Sequence, residues 1–105
     1  MIVVSDTSPI LNLATVDKLT LLRDLYDEVI VPPAVERELL RNGIQLDLKW
    51  TRVIAARDQN EVALLREQLD PGEAEAIVVA AELGANYCLW MRSVDVASPL
   101  TVVWK

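Results

Sequence analysis

The sequence predicts an α/β fold, with a parallel sheet flanked by helices in a three-layer, Rossmann-like arrangement. Two short runs rich in β-branched residues, 2–5 and 28–31, are typical of strands buried on both faces. The helical stretch between them is long enough for the crossover that joins parallel strands. A third apolar run, 86–91, follows a further amphipathic helix, so strands and helices alternate along the chain.

Length and composition favour one domain without a membrane segment. A chain of 105 residues buries roughly two thirds of the surface that it exposes when unfolded, so we expect a single domain over residues 1–105. Charged residues interrupt every apolar run before the roughly 20 residues that span a bilayer. The apolar start lacks a basic leader, which predicts no secretory signal. Cys88 is the only cysteine, which excludes an internal disulfide and predicts a cytoplasmic location.

The residue types present limit the possible chemistry. The chain has no histidine, so it cannot form a Ser-His-Asp triad or an imidazole metal site. The net charge of -6 argues against binding phosphate backbones through a broad basic face. A cation bound by converging carboxylates would reverse the local potential and present positive charge to a phosphate.

Local signals place the helices of the N-terminal half. Ser-Pro at 8–9 is typical of an N-cap followed by proline at the first helical position, and a second start near Asp17 predicts a helical hairpin or one broken helix. Pro-Pro at 32–33 opens the next helix, which should end at Asn-Gly, 42–43. The segment 44–57 is ambiguous and is predicted as irregular or β.

Two more helices are predicted in the C-terminal half. The first is amphipathic and begins near Asn60. The second has a strong start signal, with Asp70 as cap, Pro71 at the first helical position and Glu73 at the third. Its apolar stripe should end near Gly84.

Asp6 is the first candidate for chemistry. It follows the first strand directly, and ligands of open parallel sheets collect outside the carboxyl ends of the strands. The alternative is that Asp6 only caps the helix that follows, and local sequence does not separate these two roles.

Three segments together resemble the PIN-domain superfamily. They are Val-Val-Ser-Asp-Thr-Ser-Pro at 3–9, Val-Ile-Val-Pro-Pro-Ala-Val-Glu-Arg-Glu-Leu at 29–39 and Leu-Asp-Pro-Gly-Glu-Ala-Glu-Ala-Ile at 69–77. The resemblance covers residues 1–87 and looks closest to VapC-like toxins and uncharacterised prokaryotic relatives. It implies an acidic cluster that holds Mg²⁺ or Mn²⁺, because these hard cations prefer oxygen ligands. It also implies hydrolysis of RNA with water as the nucleophile.

The resemblance also assigns residues. Asp6 matches the first acid, with Thr7 or Ser8 as the hydroxyl beside it. Glu38 matches the second acid, although the helical wheel alone does not separate it from Glu36.

The third acid is Glu73 or Glu75. Glu73 has a structural role available, because a glutamate at the third helical position can reach back to the cap. Glu75 matches the acid that precedes Ala-Ile in the family. We therefore expect Asp6, Glu38 and Glu75 to be the catalytic metal ligands, with Glu73 as cap or supporting residue.

The resemblance ends in the tail. The family continues through a strand into a fourth acid and a basic helix, whereas residues 88–105 lack that acid in place, so the fold is predicted to be C-terminally truncated. Trp90-Met91 must be encoded TGGATG, and reading one base earlier gives GAT, aspartate. The same frame can continue as Asp-Glu-Lys-Arg-Gly-Arg-Arg, so we predict a frameshifted tail.

These observations predict a metal-dependent endoribonuclease, the toxin of a pair whose small antitoxin protein covers the acidic cleft. The alternative is a catalytically impaired remnant that binds RNA, antitoxin or itself. A shortened sheet would expose an edge, which predicts a homodimer or higher oligomer. Haloacid-dehalogenase phosphatases and receiver domains are disfavoured, because Ser8 stands where the former need a second aspartate and the acidic pair of the latter is missing.

Overall fold

The structure, a computed structural model, describes residues 2–90 and 101–102. The predicted α/β class with a parallel sheet between helices is confirmed. In chain order the elements are β1 (Val3–Ser5), α1 (Thr7–Thr15), α2 (Thr20–Tyr26), β2 (Val29–Val31), α3 (Pro33–Arg41), β3 (Thr51–Val53), α4 (Gln59–Leu65), α5 (Pro71–Leu83), β4 (Tyr87–Trp90) and β5 (Thr101–Val102).

The sheet has the strand order β3-β2-β1-β4-β5. The first four strands are parallel, with Val4 opposite Ile30 and Ser5 opposite Leu89, and β5 runs antiparallel to β4. β1 therefore lies in the centre of the sheet. Its carboxyl end has the carboxyl ends of β2 and β4 on either side.

The sheet separates two apolar cores. Successive side chains of a strand point to opposite faces, so Val3 packs with α1, α2 and α3, while Val4 packs with α4 and α5. In β4, Leu89 likewise lies in the same core as Val3, and Cys88 lies in the same core as Val4. Helices thus cover both faces of the central strands, which explains why Val3 and Val4, Val29–Val31, and Cys88 and Leu89 are all apolar.

The start of α1 differs from the prediction. The N-cap is Asp6 and the helix begins at Thr7, so Ser8 is its second residue and Pro9 its third. The predicted cap at Ser8 is therefore wrong by two residues. Proline is tolerated anywhere in the first turn, because the backbone N–H groups there have no partner within the helix.

The helix ends predicted from capping residues are confirmed. Asp70 caps α5 and accepts a hydrogen bond from the backbone N–H of Glu73 at 2.9 Å, and Gly84 ends the helix with φ of 62°. α3 ends at Arg41 with Asn42 as its C-cap, and Gly43 follows with φ of 78°. These positive φ values are ones that glycine adopts without steric cost.

The chain between α3 and α4 contains β3, which begins directly after the buried side chain of Trp50. Residues 44–50 before it are irregular or in turns. Of the predicted aberrant tail, 88–105, the structure describes 88–90 and 101–102, and the remainder lies outside the described residues. Within the described part of the chain, no helix has the length and apolar character needed to cross a membrane.

Candidate active site

Asp6 lies at the centre of the carboxyl edge of the sheet. Its backbone N–H donates to the carbonyl oxygen of Leu89 at 3.0 Å, which continues the pairing of β1 with β4 by one residue. The residue is only 4% exposed. Neither ion pair found among the described residues involves Asp6. A buried aspartate without a cationic partner is costly, which points to a functional rather than a structural role.

The side chain of Asp6 does not cap α1. Asp6 occupies the N-cap position with an extended backbone, yet its carboxylate forms no capping hydrogen bond. One reason is that the third helical residue is Pro9, which has no N–H to offer. The carboxylate thus faces other elements of the fold. The capping alternative explains the backbone position of Asp6 but not the direction of its side chain.

The first turn of α5 brings two more carboxylates to Asp6. Carboxylate oxygens of Asp6, Asp70 and Glu73 all lie within 4.8 Å of one another. Asp70 is exposed and Glu73 is half-buried, so the group opens from a buried floor towards solvent. It is the one group of three or more possible metal ligands in the described part of the chain.

Burial and nearby negative charge raise the pKa of two of these acids, Asp6 and Glu73. Burial raises the pKa of Asp6 from 3.8 to about 6, the negative charges of Asp70 and Glu38 add to the rise, and the Thr7 backbone N–H opposes it. Burial also raises the pKa of Glu73 from 4.5 to about 7, helped by its hydrogen bond with Asp70 and by the charge of Asp70. A divalent cation would favour the ionised forms of both groups.

Thr7 connects Glu38 to this group. The Thr7 hydroxyl donates to Glu38 Oε2 at 3.1 Å, and it does so from a side chain that is nearly buried. Glu38 is half-buried on α3, close enough for its charge to raise the pKa of Asp6. The contact distinguishes Glu38 from Glu36, which the helical wheel did not.

Not every predicted residue joins the group. Glu75 is half-buried two positions beyond Glu73 on α5 and lies outside the set of three carboxylates. Ser8 is half-buried in the first turn of α1, where its carbonyl oxygen accepts from Asn12. The roles of Glu75 and Ser8 stay predictions from the family resemblance.

Sequence reasoning missed Asp70 as a member of the group. Its capping signal was clear, and a cap was a sufficient explanation for an aspartate before Pro71. The capping bond with Glu73 uses Oδ1 of the Asp70 carboxylate. A signal was available, since the helix that Asp70 starts also carries both candidates for the third acid.

The donor set fits a hard divalent cation. All three groups offer carboxylate oxygen, which Mg²⁺ prefers. Around an octahedral Mg²⁺, adjacent ligands lie about 2.9 Å apart and opposite ligands about 4.2 Å apart. The oxygens of Asp6, Asp70 and Glu73 lie within 4.8 Å of one another, so they would draw closer together to bind one ion. The arrangement can therefore hold an ion while leaving the solvent side open for water and substrate oxygens.

Comparison with known proteins agrees with this geometry. The family model DUF3368, which describes a PIN domain, matches residues 2–90. No curated protein and no solved structure matches the chain. The family match spans every described element except β5 and includes the whole acidic group. The chain belongs to the PIN-domain family.

Proposed function

We propose that this protein is a metal-dependent endoribonuclease of the PIN type. The observation that supports it best is the meeting of Asp6, Asp70 and Glu73 at the carboxyl edge of the sheet, within 4.8 Å of one another. A buried acidic group in an acidic protein repels a phosphate unless a cation is present. The proposed cofactor is Mg²⁺ or Mn²⁺.

Each acid has a part in the proposed mechanism. Asp6 forms the buried floor and would bind the ion, with Asp70 and Glu73 on its solvent side. When bound, the ion lowers the pKa of a ligated water and neutralises charge on the scissile phosphate. Glu38, held by the Thr7 hydroxyl, would orient water or a second ion, and Glu75 is the further acid that the family resemblance assigns.

Cleavage of a mixed single-stranded RNA pool tests the proposal, with Mn²⁺, Mg²⁺ or EDTA present and the native chain compared with Asp6→Asn. We expect metal-dependent cleavage that Asp6→Asn abolishes. The matched control is Asp17→Asn, the same change at an exposed turn beyond the far end of α1, where the φ of 58° suits asparagine. Cleavage that persists in EDTA or in Asp6→Asn would contradict the proposal.

The second candidate is a PIN-fold remnant that binds RNA, an antitoxin or itself without cleaving. It is favoured by the end of the family match at Trp90, where a fourth acid is expected to follow. The pairing of Ser5 with Leu89 supports that location, because it brings the carboxyl end of β4 beside Asp6. A folded protein that binds Mn²⁺ and RNA but does not cut would establish this alternative.

The frameshift proposal links the two candidates. We propose that residues from about 88 onward are read in a shifted frame, and that the other frame encodes the fourth acid. The nucleotide sequence tests this directly, since a gene unable to encode the acidic and basic run would refute it. Restoring that frame should then raise cleavage activity above that of the native chain.

The biological role is proposed from the resemblance to VapC-like toxins. The protein would act in the cytoplasm as a toxin, and a small antitoxin would cover the acidic cleft. Expression of the native chain should slow bacterial growth, and Asp6→Asn should not. We also propose a homodimer or higher oligomer, and a monomeric mass in light scattering at high concentration would exclude it.

A further inference from the structure

Gly72 lies in the first turn of α5, against the buried end of Asp6. A Cβ built on Gly72 would meet Asp6 Oδ1 at 3.0 Å, Val35 Cγ2 at 3.3 Å and Thr7 Oγ1 at 3.4 Å, whereas ordinary van der Waals contact begins at 3.4 Å. The absence of a side chain is therefore what allows this turn to approach so closely. The two other glycines have open space around the corresponding position.

The helix itself gives no reason for glycine at this position. Glycine is a poorer helix former than alanine, and Gly72 does not have the positive φ that Gly43 and Gly84 have. The glycine is therefore explained by its neighbours Asp6, Val35 and Thr7, which leave little room for a side chain at this position. Close approach of backbone to a functional group is one of the recognised uses of glycine.

The three neighbours differ in how far they can yield. Val35 of α3 is fully buried in the core, and Thr7 is held by its hydrogen bond to Glu38. The Asp6 carboxylate is the terminal group of a side chain that can rotate. A methyl group on Gly72 would thus displace the Asp6 carboxylate, or push the first turn of α5 away from it.

Either displacement lengthens the distances from the Asp6 carboxylate to the carboxylates of Asp70 and Glu73. Asp70 and Glu73 flank Gly72 in the chain, so a retreat of this turn moves both carboxylates away from Asp6. A rotation of Asp6 has the same effect from the other side. Pressure on Thr7 would also loosen the contact that holds Glu38.

We propose that Gly72 is a positioning residue that sets the location of the Asp6 carboxylate relative to Asp70 and Glu73. The contact between Gly72 and Asp6 is a property of the fold and does not depend on the reaction. Its consequence for metal binding rests on the proposed function. The two parts can be tested separately.

The contact is tested by a double-mutant cycle of melting temperatures in EDTA, which combines Gly72→Ala with Asp6→Ala. Removal of the Asp6 carboxylate relieves the tightest of the three contacts, so Gly72→Ala should be less destabilising, or more stabilising, in the Asp6→Ala background than in the native background. The matched control is Gly84→Ala at the other end of α5. Because its added methyl meets no neighbour and is only strained by φ of +62°, its effect should be the same in both backgrounds.

Equal effects of Gly72→Ala in the two backgrounds would overturn the proposal. Should Gly72→Ala alone fail to fold, recovery of folding on adding Asp6→Ala supports the contact, and no recovery counts against it.

The consequence for metal is tested by Mn²⁺ titration calorimetry. We expect at least about tenfold weaker binding in Gly72→Ala, as is common when groups that orient ligands are changed, and unchanged affinity in Gly84→Ala. Native affinity in Gly72→Ala would overturn this part of the proposal. If the native chain itself does not bind Mn²⁺, the proposed function fails while the cycle of melting temperatures still decides the contact.

Discussion

The hydroxyl of Thr7 donates a hydrogen bond to Glu38 Oε2 at 3.1 Å, which joins the first turn of α1 to the middle of α3. Thr7→Val keeps the shape of the side chain and removes the donor. Because Glu38 then loses its anchor, we expect about tenfold weaker Mn²⁺ binding, while the free energy of unfolding falls by no more than about 3 kcal/mol. Calorimetric titration and urea unfolding measure the two quantities.

Thr15→Val is the control for this change. Thr15 also donates a hydrogen bond from its hydroxyl, to the carbonyl oxygen of Leu11 at 2.8 Å, but it is exposed at the far end of α1. Its Mn²⁺ affinity should equal that of the native chain. Equal affinities in Thr7→Val and Thr15→Val would show that the hydroxyl of Thr7 does not serve the site.

The raised pKa of Asp6 predicts how stability depends on pH. Burial raises this pKa from 3.8 to about 6, so between these values the folded protein binds more protons than the unfolded chain. Stability of the metal-free protein therefore falls as pH rises through this range, and Glu73, with its pKa raised to about 7, extends the fall. Asp6→Asn cannot ionise and should be more stable than the native chain at pH 7.5, by at most about 3 kcal/mol.

Urea unfolding in EDTA at pH 5 and pH 7.5 measures this effect. The advantage of Asp6→Asn should be largest at pH 7.5 and should shrink at pH 5, where Asp6 is mostly protonated in the folded state. Saturating Mn²⁺ should reverse the order at pH 7.5, because the ion stabilises only a chain that can bind it. An advantage of Asp6→Asn that does not change with pH would contradict the predicted titration.

Glu73 and Glu75 can be compared directly. Glu73 belongs to the group of carboxylates within 4.8 Å of one another, whereas Glu75 is assigned by the family resemblance. From the geometry we expect Glu73→Gln to weaken Mn²⁺ binding by about tenfold and Glu75→Gln to weaken it less. The reverse order in the same titration would make Glu75 the ligand and leave Glu73 with a structural role.

Asp70 combines a capping role with membership of the acidic group. Asp70→Ser keeps an oxygen for the backbone N–H of Glu73 and removes the charge, so the melting temperature should change little while Mn²⁺ affinity falls. Asp58 caps α4 in the same way, through the backbone N–H of Glu61 at 3.1 Å. Asp58→Ser should leave both quantities unchanged. Loss of metal affinity in both variants would indicate a general effect of charge.

Much of the fold was predictable because its signals are local. The runs of β-branched residues at 2–5 and 28–31 contain β1 and β2, and the Asp70-Pro71 start and Gly84 end of α5 follow from capping chemistry. β3 was harder, since a strand of three residues has almost no periodicity of its own. It is fixed by parallel pairing with β2, which is a non-local interaction.

The site was predictable only in part, for the same reason. The position of Asp6 after an apolar strand is a local signal, and so is the presence of acids at the start of α5. The choice between Glu36 and Glu38 needs the hydroxyl of Thr7, which is distant in sequence from α3. The clearance at Gly72 is also invisible in the sequence, because it depends on where the end of β1 meets α5.

The central place of β1 has a consequence for biosynthesis. Val3 pairs with Tyr87, so β1 is completed by a strand that leaves the ribosome long after it. Closing so long a loop is slow, and contacts of this kind form late in folding. Until β4 and α5 are in place, the Asp6 carboxylate has no partners and the acidic group does not exist. A nascent chain therefore gains the acidic group only when the parallel sheet is assembled and α5 is docked on it.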